Sequence, residues 1–296
     1  MDSLMTLNDL PQGFKILGIV GWPLEHSLSA FIHNAALKAL SLPYLYLSLP
    51  VSENSLPDLI SRLKSLGARG LNVTVPYKEK IVPLLDEIPE EVRKIGAVNT
   101  LVFEGGIVRG ENTDAGGFLA AWNEEVGEEI AGKRALLLGS GGAARAVAFA
   151  MASRGLGGIY LFSRNEEKRK ALARDLLSGF PSLLTEESSR RDEEILAEDL
   201  RKADFLINAT PLGMYPGTDE MPLTFPEEVN PSLLVFDLIY NPLETRLLRE
   251  ARERGLHASN GLGMLIHQGA RSFEIWTGRK PPLSLMREAA LKALKT

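Results

Sequence analysis

The segment RALLLGSGGAARAVAFAMASRG, Arg134 to Gly155, constrains the fold more than any other part of the chain. A short apolar run breaks into glycine and then into an alanine-rich stretch, with Gly139, Gly141 and Ala144 at G-x-G-x-x-A spacing. Glycine permits a tight turn at 139 and a close backbone approach at 141, and a helix starting there turns free amides and its positive dipole end toward an anion. Alone, such spacing says little. Between a strand and a helix of a βαβ unit it predicts a pyrophosphate cradle in a Rossmann-type, doubly wound unit, with Gly139, Ser140, Gly141, Gly142 and Ala143 around the phosphates.

The following residues continue the βαβ rhythm. GGIYLFSR reads as a strand, EEKRKALARDLL as a helix, DFLINAT and LLVFDLIY as strands and TRLLREARER as a helix, while the polar stretch from Thr185 to Asp204 reads as a solvated loop with a short helix. Sites that select NAD place Asp or Glu at the end of the second strand for the ribose 2′-hydroxyl. This chain has Ser163-Arg164-Asn165 there, with Lys168 one turn further on. A guanidinium pairs bidentately with a 2′-phosphate, which predicts NADP(H) over NAD; the plain alternative is a surface arginine at a strand end.

Before Asp114 the pattern differs. Strands are expected at KILGIVG, LYLSLPV and GLNVTV, with amphipathic SLPDLISRLKSL between the second and third. A hairpin, AVNTLVFEGGIVRGEN, then turns at Glu104-Gly105-Gly106. The expected fold class is therefore α/β: an N-terminal mixed-sheet domain over 1–124, completed by helices over 261–296, and a dinucleotide-binding domain over 125–260. The boundary falls in the charged stretch from Glu125 to Lys133.

Composition narrows the chemistry. The 296 residues contain no cysteine, which removes thiolate nucleophiles, disulfides and thiolate-held metals and fits a reducing, cytoplasmic setting. Histidine occurs at 26, 33, 257 and 267 without paired-ligand spacing, so no metal is expected, and His26 and His33 read as structural. A net charge of −5 argues against nucleic-acid or membrane partners. The N-terminus, MDSLMTLNDLPQGF, lacks the pattern of a signal peptide, and no apolar run is long enough to span a bilayer.

The polar residues of the first half sit at element ends. In GLNVTVPYKEK, Asn72, Thr74 and Lys78 share one face of an extended chain while Val73 and Val75 share the other. A half-buried strand showing its polar side to water has the same pattern. Ser27 and Ser29 stand at a helix start, Asn99 and Thr100 in AVNTL, Asn112, Thr113 and Asp114 in GENTDAGGF, and Gln268 in GLGMLIHQGA. Singly, each is explained as a cap, a turn or a solvated side chain. Together, hydroxyls at a helix N-terminus suit a carboxylate, and amides with an Asp-Lys pair suit a polyhydroxylated ring.

The set SLS, HN, NVTVPYK, GAVNT, NTD, GSGGAAR, NAT and GMLIHQGA, in this order along nearly the whole chain, resembles the shikimate dehydrogenases. The resemblance implies that the N-terminal domain is a substrate domain, that the active site lies in the cleft between it and the NADP-binding domain, and that the reaction is reversible reduction of 3-dehydroshikimate to shikimate in aromatic amino-acid biosynthesis; a monomer or homodimer is expected. It places the substrate carboxylate on Ser27 and Ser29 with Thr74 and Tyr240 nearby. It places the ring hydroxyls on Asn72, Asn99, Asp114, Lys78 and Gln268, with Lys78 and Asp114 as the catalytic pair. It sets Met264 against the nicotinamide; Gly261 beside it, and the NATPLGM stretch with Asn208, Ala209 and Thr210, are read as bordering the cofactor.

Two departures stand out: Ala30 follows the second serine where the family often has proline, and the family's Asn-Arg-Thr triplet appears as Ser163-Arg164-Asn165. Lys78 acts either as an acid–base group or as a fixed charge beside the reacting oxygen. Three other readings share parts of the pattern: a quinate/shikimate dehydrogenase that uses NAD, a non-catalytic NADP(H) sensor, and a methylenetetrahydrofolate dehydrogenase-like enzyme. The paired serines and Gln268 do not suit the last, and a sensor has no use for the Asp-Lys pair.

Overall fold

The computed structural model describes residues 13–188 and 193–295. Most of the N-terminal stretch compared with a signal peptide, residues 1–12, lies outside the described residues, as does 189–192 within the polar stretch before Asp204.

The first unit comprises β1 (Lys15–Gly21), α1 (Ser29–Ala39), β2 (Tyr44–Pro50), α2 (Leu56–Ser65), β3 (Gly70–Val73), α3 (Glu90–Ile95), β4 (Thr100–Glu104), β5 (Ile107–Glu111) and α4 (Asp114–Glu125). Its sheet has the order β2-β1-β3-β4-β5. β1 pairs in parallel with β2 and β3, and the β3–β4 and β4–β5 pairs are antiparallel. The central strand KILGIVG is buried from Ile16 onward, as a parallel strand covered on both faces must be. Gly105 and Gly106 turn the β4–β5 hairpin with φ of 60° and 76°, the positive angles that a two-residue turn of this kind needs.

The second unit comprises β6 (Arg134–Leu138), α5 (Gly142–Ser153), β7 (Gly158–Phe162), α6 (Glu166–Gly179), β8 (Leu184–Ser188), α7 (Glu193–Lys202), β9 (Phe205–Asn208), β10 (Leu234–Asp237), α8 (Arg246–Glu253) and β11 (His257–Ser259). All pairs are parallel in the order β11-β10-β9-β6-β7-β8, the doubly wound arrangement. Two edge strands depart from the sequence reading. β8 takes the start of the stretch expected to be a solvated loop, because the exposed ladder of β7 accepts a polar partner; charged residues on an edge strand also block further pairing. β11 is only three residues long, too short for an apolar period.

Helices α9 (Leu262–Thr277) and α10 (Leu283–Ala293) return to the first unit, where Phe273, Trp276 and Met286 share a core with Leu17, Ile32 and Leu37. The Trp276 indole lies on Gly70, where a Cβ would stand 2.0 Å from Nε1, and donates to the Leu101 carbonyl at 2.8 Å. Helix α4 faces both ways. Its N-terminus carries Asp114, while Phe118 and Trp122 pack edge-on against Phe236 and Phe205 at 5.3 and 4.7 Å between centroids. Aromatic side chains bury roughly 150–250 Å² each, about 4–6 kcal/mol of gross hydrophobic stabilisation at 25 cal/mol/Å², so this helix is a firm join.

Candidate active site

The extended geometry of GLNVTV ends earlier than its alternation suggests. β3 stops at Val73; Thr74 is partly buried, and Val75, read as sharing a face with the buried Val73, is 67% exposed. Pro76 has no N–H to continue a ladder, so the chain turns, with Tyr77 N–H donating to the Thr74 carbonyl at 2.8 Å. Lys78 thus takes its direction from a turn rather than from the strand. The turn is well anchored: the Tyr77 hydroxyl donates to the Val51 carbonyl at 2.6 Å, and the Lys78 carbonyl accepts from Val98 N–H at 2.8 Å.

Lys78 Nζ donates to Asp114 Oδ2 at 2.5 Å, with the two side chains 14% and 4% exposed. Asn99 Nδ2 reaches the other oxygen of Asp114 at 2.9 Å and Gln268 Oε1 at 3.3 Å. Residues from the β3 turn, the start of β4, the start of α4 and α9 therefore converge on one point. Asn99 Oδ1 in turn accepts from Thr113 N–H at 2.7 Å, and Asn112 Oδ1 caps α4 by accepting from Ala115 N–H at 3.1 Å.

Asn72 stands one layer behind. It is 5% exposed, and its amide nitrogen lies within 3.0–3.1 Å of the Asn99 carbonyl, Thr100 Oγ1 and Ser272 Oγ, while its oxygen accepts from the Tyr46 hydroxyl at 2.7 Å. Its amide hydrogens and one of the two lone pairs of its oxygen are thus engaged within the protein. Ser29 is buried, Ser27 is partly buried, and Ser27 Oγ lies 3.4 Å from Ser29 N–H at the start of α1. The Tyr46 phenol, held well above its usual titration range by burial, neighbours the Ser29 side chain. Tyr240 is partly buried, and desolvation pushes its hydroxyl up to about 12.

In the second unit the glycine turn lies between β6 and α5. Gly139 has a φ of 110°, in the region that favours glycine. Gly141 has open space on the side where a Cβ would stand. Ser140 Oγ and Ser163 Oγ are 2.7 Å apart, which ties the turn to the end of β7. Asn165 caps α6 by accepting from Lys168 N–H at 2.9 Å, and Arg164 is exposed, with no partner among the described residues. Lys168 Nζ instead reaches Glu79 of the first unit at 2.8 Å.

Several residues expected beside the cofactor are occupied in holding the frame. Asn208 is fully buried, donating to Asp237 at 2.9 Å and accepting from Thr210 Oγ1 at 2.7 Å; Ala209 presents its carbonyl beside Gly139. Burial pushes Asp237 up to about 7, opposed by hydrogen bonds from Thr245, Ile239 N–H and Asn208. All three partners are donors, the set that an ionised carboxylate accepts. Gly261 is required by a close approach, but to the Leu238 carbonyl, 2.0 Å from where its Cβ would be. Met264 is 6% exposed and packs in the core shared by α4 and the second sheet.

Tyr46, Ser272 and Gly117 were not legible as site residues. A Cβ on Gly117 would stand 2.6 Å from Gln268 Cβ, so glycine there lets α9 bring Gln268 to Asn99. The available signal was a glycine pair inside a helix, where glycine is disfavoured. Tyr46 and Ser272 carry no local signal, since both lie on periodic, apolar segments.

A Rossmann-type unit whose glycine turn lies against a buried Lys-Asp pair set among amides and hydroxyls suits an oxidoreductase acting on CH–OH groups with a dinucleotide. Comparisons with known proteins agree. The profile for the shikimate dehydrogenase substrate binding domain matches residues 19–101, and that for the shikimate 5′-dehydrogenase C-terminal domain matches 261–291. The shikimate dehydrogenase (NADP(+)) of Methanopyrus kandleri is 42% identical over 281 residues, 95% of this chain and 96% of the relative.

A crystal structure of shikimate dehydrogenase in complex with NADP+ superposes with a TM-score of 0.88 at 40% identity, covering 97% of this chain and 98% of the other. That of the Thermus thermophilus enzyme, in complex with NADP(H) and shikimate, gives 0.81 at 38% identity, covering 95% and 100%. The chain belongs to the shikimate dehydrogenase family.

Proposed function

We propose that the protein is an NADP-dependent shikimate dehydrogenase, interconverting 3-dehydroshikimate and shikimate in aromatic amino-acid biosynthesis. The observation that carries the reading is the convergence of Lys78, Asp114, Asn99 and Gln268 from four separate elements onto one polar point. The proposal assigns substrate binding and catalysis to residues 1–124 with 261–296, and the dinucleotide to 125–260. It includes a cytoplasmic setting, in keeping with a chain that has no cysteine, and a monomer or homodimer.

The residues present fit NADP(H). Gly141 leaves the first turn of α5 open for a pyrophosphate, with Gly139, Ser140, Gly142 and Ala143 around it. The exposed guanidinium of Arg164, flanked by Ser163 and Asn165 and followed by Lys168, suits a 2′-phosphate. When bound, the nicotinamide supplies the hydride exchange at carbon.

The chain's own residues manage the oxygen. As a ketone is reduced, negative charge develops on its oxygen, and Lys78 meets it with an ammonium already oriented by Asp114. In the reverse direction the same pair takes up the hydroxyl proton. Asn99 and Gln268 hold the neighbouring hydroxyls, and Ser27, Ser29 and Thr74, with Tyr240 nearby, receive the carboxylate at the start of α1, where amides and dipole favour an anion.

The test offers the purified protein shikimate and quinate, each with NADP and with NAD, and follows the absorbance of the reduced nicotinamide. Turnover of shikimate with NADP, and little with the other three pairs, is expected. Preferred use of quinate or NAD would replace the assignment with the broader dehydrogenase, and tight NADP binding without turnover in any pair would replace it with a sensor.

A further inference from the structure

Glycines 139, 141 and 142 of the nucleotide-binding turn are glycines for different reasons. Gly139 has a positive φ, and the Ala209 carbonyl lies 2.9 Å from where its Cβ would be. Gly141 meets nothing within 4 Å. Gly142, the first residue of α5, has no positive φ, yet its Cβ would stand 2.7 Å from Lys78 Cβ, 3.2 Å from Lys78 Cδ and 3.3 Å from Ala97 Cβ. What excludes a side chain at 142 is therefore the other unit.

Neither side has room to yield. Non-bonded carbons rest at about 3.5–4.0 Å, so a methyl group at 142 demands a displacement on the order of 1 Å. Lys78 is held at both ends, by Val98 N–H at 2.8 Å on its carbonyl and by Asp114 at 2.5 Å on its ammonium. Helix α5 is held by Arg145, whose buried guanidinium bonds the Ile95 carbonyl at the end of α3 and Asp175 on α6.

We propose that Gly142 is a positioning residue for the reaction: its missing side chain seats the stem of Lys78 on the first turn of the dinucleotide helix, so the element that cradles the cofactor also sets where the ammonium stands. The inference rests on the reading of Lys78 as the catalytic lysine. It makes Gly142 distinct from Gly141, which faces the open side of the turn.

The experiment is a double-mutant cycle of Gly142→Ala and Lys78→Gly in the full chain. It measures kcat for shikimate oxidation with NADP, the NADP dissociation constant by fluorescence, and the isotope effect with shikimate deuterated at the reacting carbon. Gly142→Ala is expected to lower kcat by about 10- to 100-fold, the loss typical of misplacing a catalytic group by ~1 Å. Any rise in the NADP dissociation constant should be smaller than the fall in kcat, which is read at saturating NADP, and the isotope effect should rise. In the Lys78→Gly background, which removes both the ammonium and the Cβ that the new methyl meets, the same substitution should change the residual rate by less than about threefold.

Equal loss in both backgrounds, or a weakened NADP affinity with kcat unchanged, would overturn the proposal and leave Gly142 as a cofactor contact alone. If Gly142→Ala does not fold, the cycle is run in an Ala97→Gly background, which removes the second residue facing the new methyl. Wild-type turnover and its loss in Lys78→Ala test the underlying reading separately, so that reading can stand while the role of Gly142 falls.

Discussion

His33 makes the first unit acid-sensitive. Its ring is fully buried on α1, stacked on Tyr46 with centroids 4.3 Å apart and planes 2° from parallel, and Phe273 and Trp276 lie 6.2 and 5.5 Å away. Neither ring nitrogen has a hydrogen-bond partner among the described residues. Burial without a counter-charge lowers its titration from 6.5 to about 3. An unfolded chain takes up that proton near pH ~6.5, so between ~6.5 and ~3 the unfolded state binds more protons and stability falls as pH falls, by about 1.4 kcal/mol per unit.

At about pH 4.5, two units below the unfolded value, the loss is on the order of 3 kcal/mol, a large share of the ~5–15 kcal/mol typical of a folded domain. His33→Phe keeps a ring against Tyr46 and removes the proton site. Urea denaturation of both proteins across this range is the assay. The stability difference between them should be flat above about pH 7.5 and move on the order of 3 kcal/mol in favour of His33→Phe at about pH 4.5. Parallel pH profiles would refute the reasoning and mean that His33 is protonated, or solvated, in the folded state.

Other substitutions probe the site. Lys78→Ala is expected to lower kcat by about two to four powers of ten with a modest change in KM; near-normal kcat in a folded variant would remove Lys78 from the chemistry. Arg164→Ala should raise the KM for NADPH and leave use of NADH nearly unchanged, whereas equal losses with both cofactors would make the arginine structural. Tyr46→Phe removes the donor to Asn72 Oδ1 and leaves a buried acceptor unsatisfied, a cost of about 1–3 kcal/mol readable by urea denaturation. An unchanged midpoint would mean that the Asn72 oxygen finds another partner.

Much of the fold was legible because its signals are local. The run KILGIVG has the continuous apolar character of a buried parallel strand, and Gly105-Gly106 specifies its own hairpin turn by conformational freedom. The edge strands β8 and β11 were not legible. Their pairing is imposed by the open ladders of β7 and β10 rather than by any period of their own. The end of β3 likewise follows from Pro76 and the turn beyond it, so Val75 is exposed where alternation had put it on one face with the buried Val73.

The site divides along the same line. By itself the sequence determined which groups the chain has for chemistry: a lysine with an aspartate, paired serines, amides, a glycine turn and an arginine where an acid would have selected NAD, with no thiol anywhere. The tertiary structure decided which of them meet. Asn72 and Asn99 carry the same amide, yet the packing of Tyr46, Thr100 and Ser272 occupies the first while the second reaches Asp114. Gly141 and Gly142 are neighbours in one motif, yet only the second lies against Lys78. Side-chain identity is written one residue at a time, but contact between residues distant in sequence depends on how whole elements pack, and no local period encodes that.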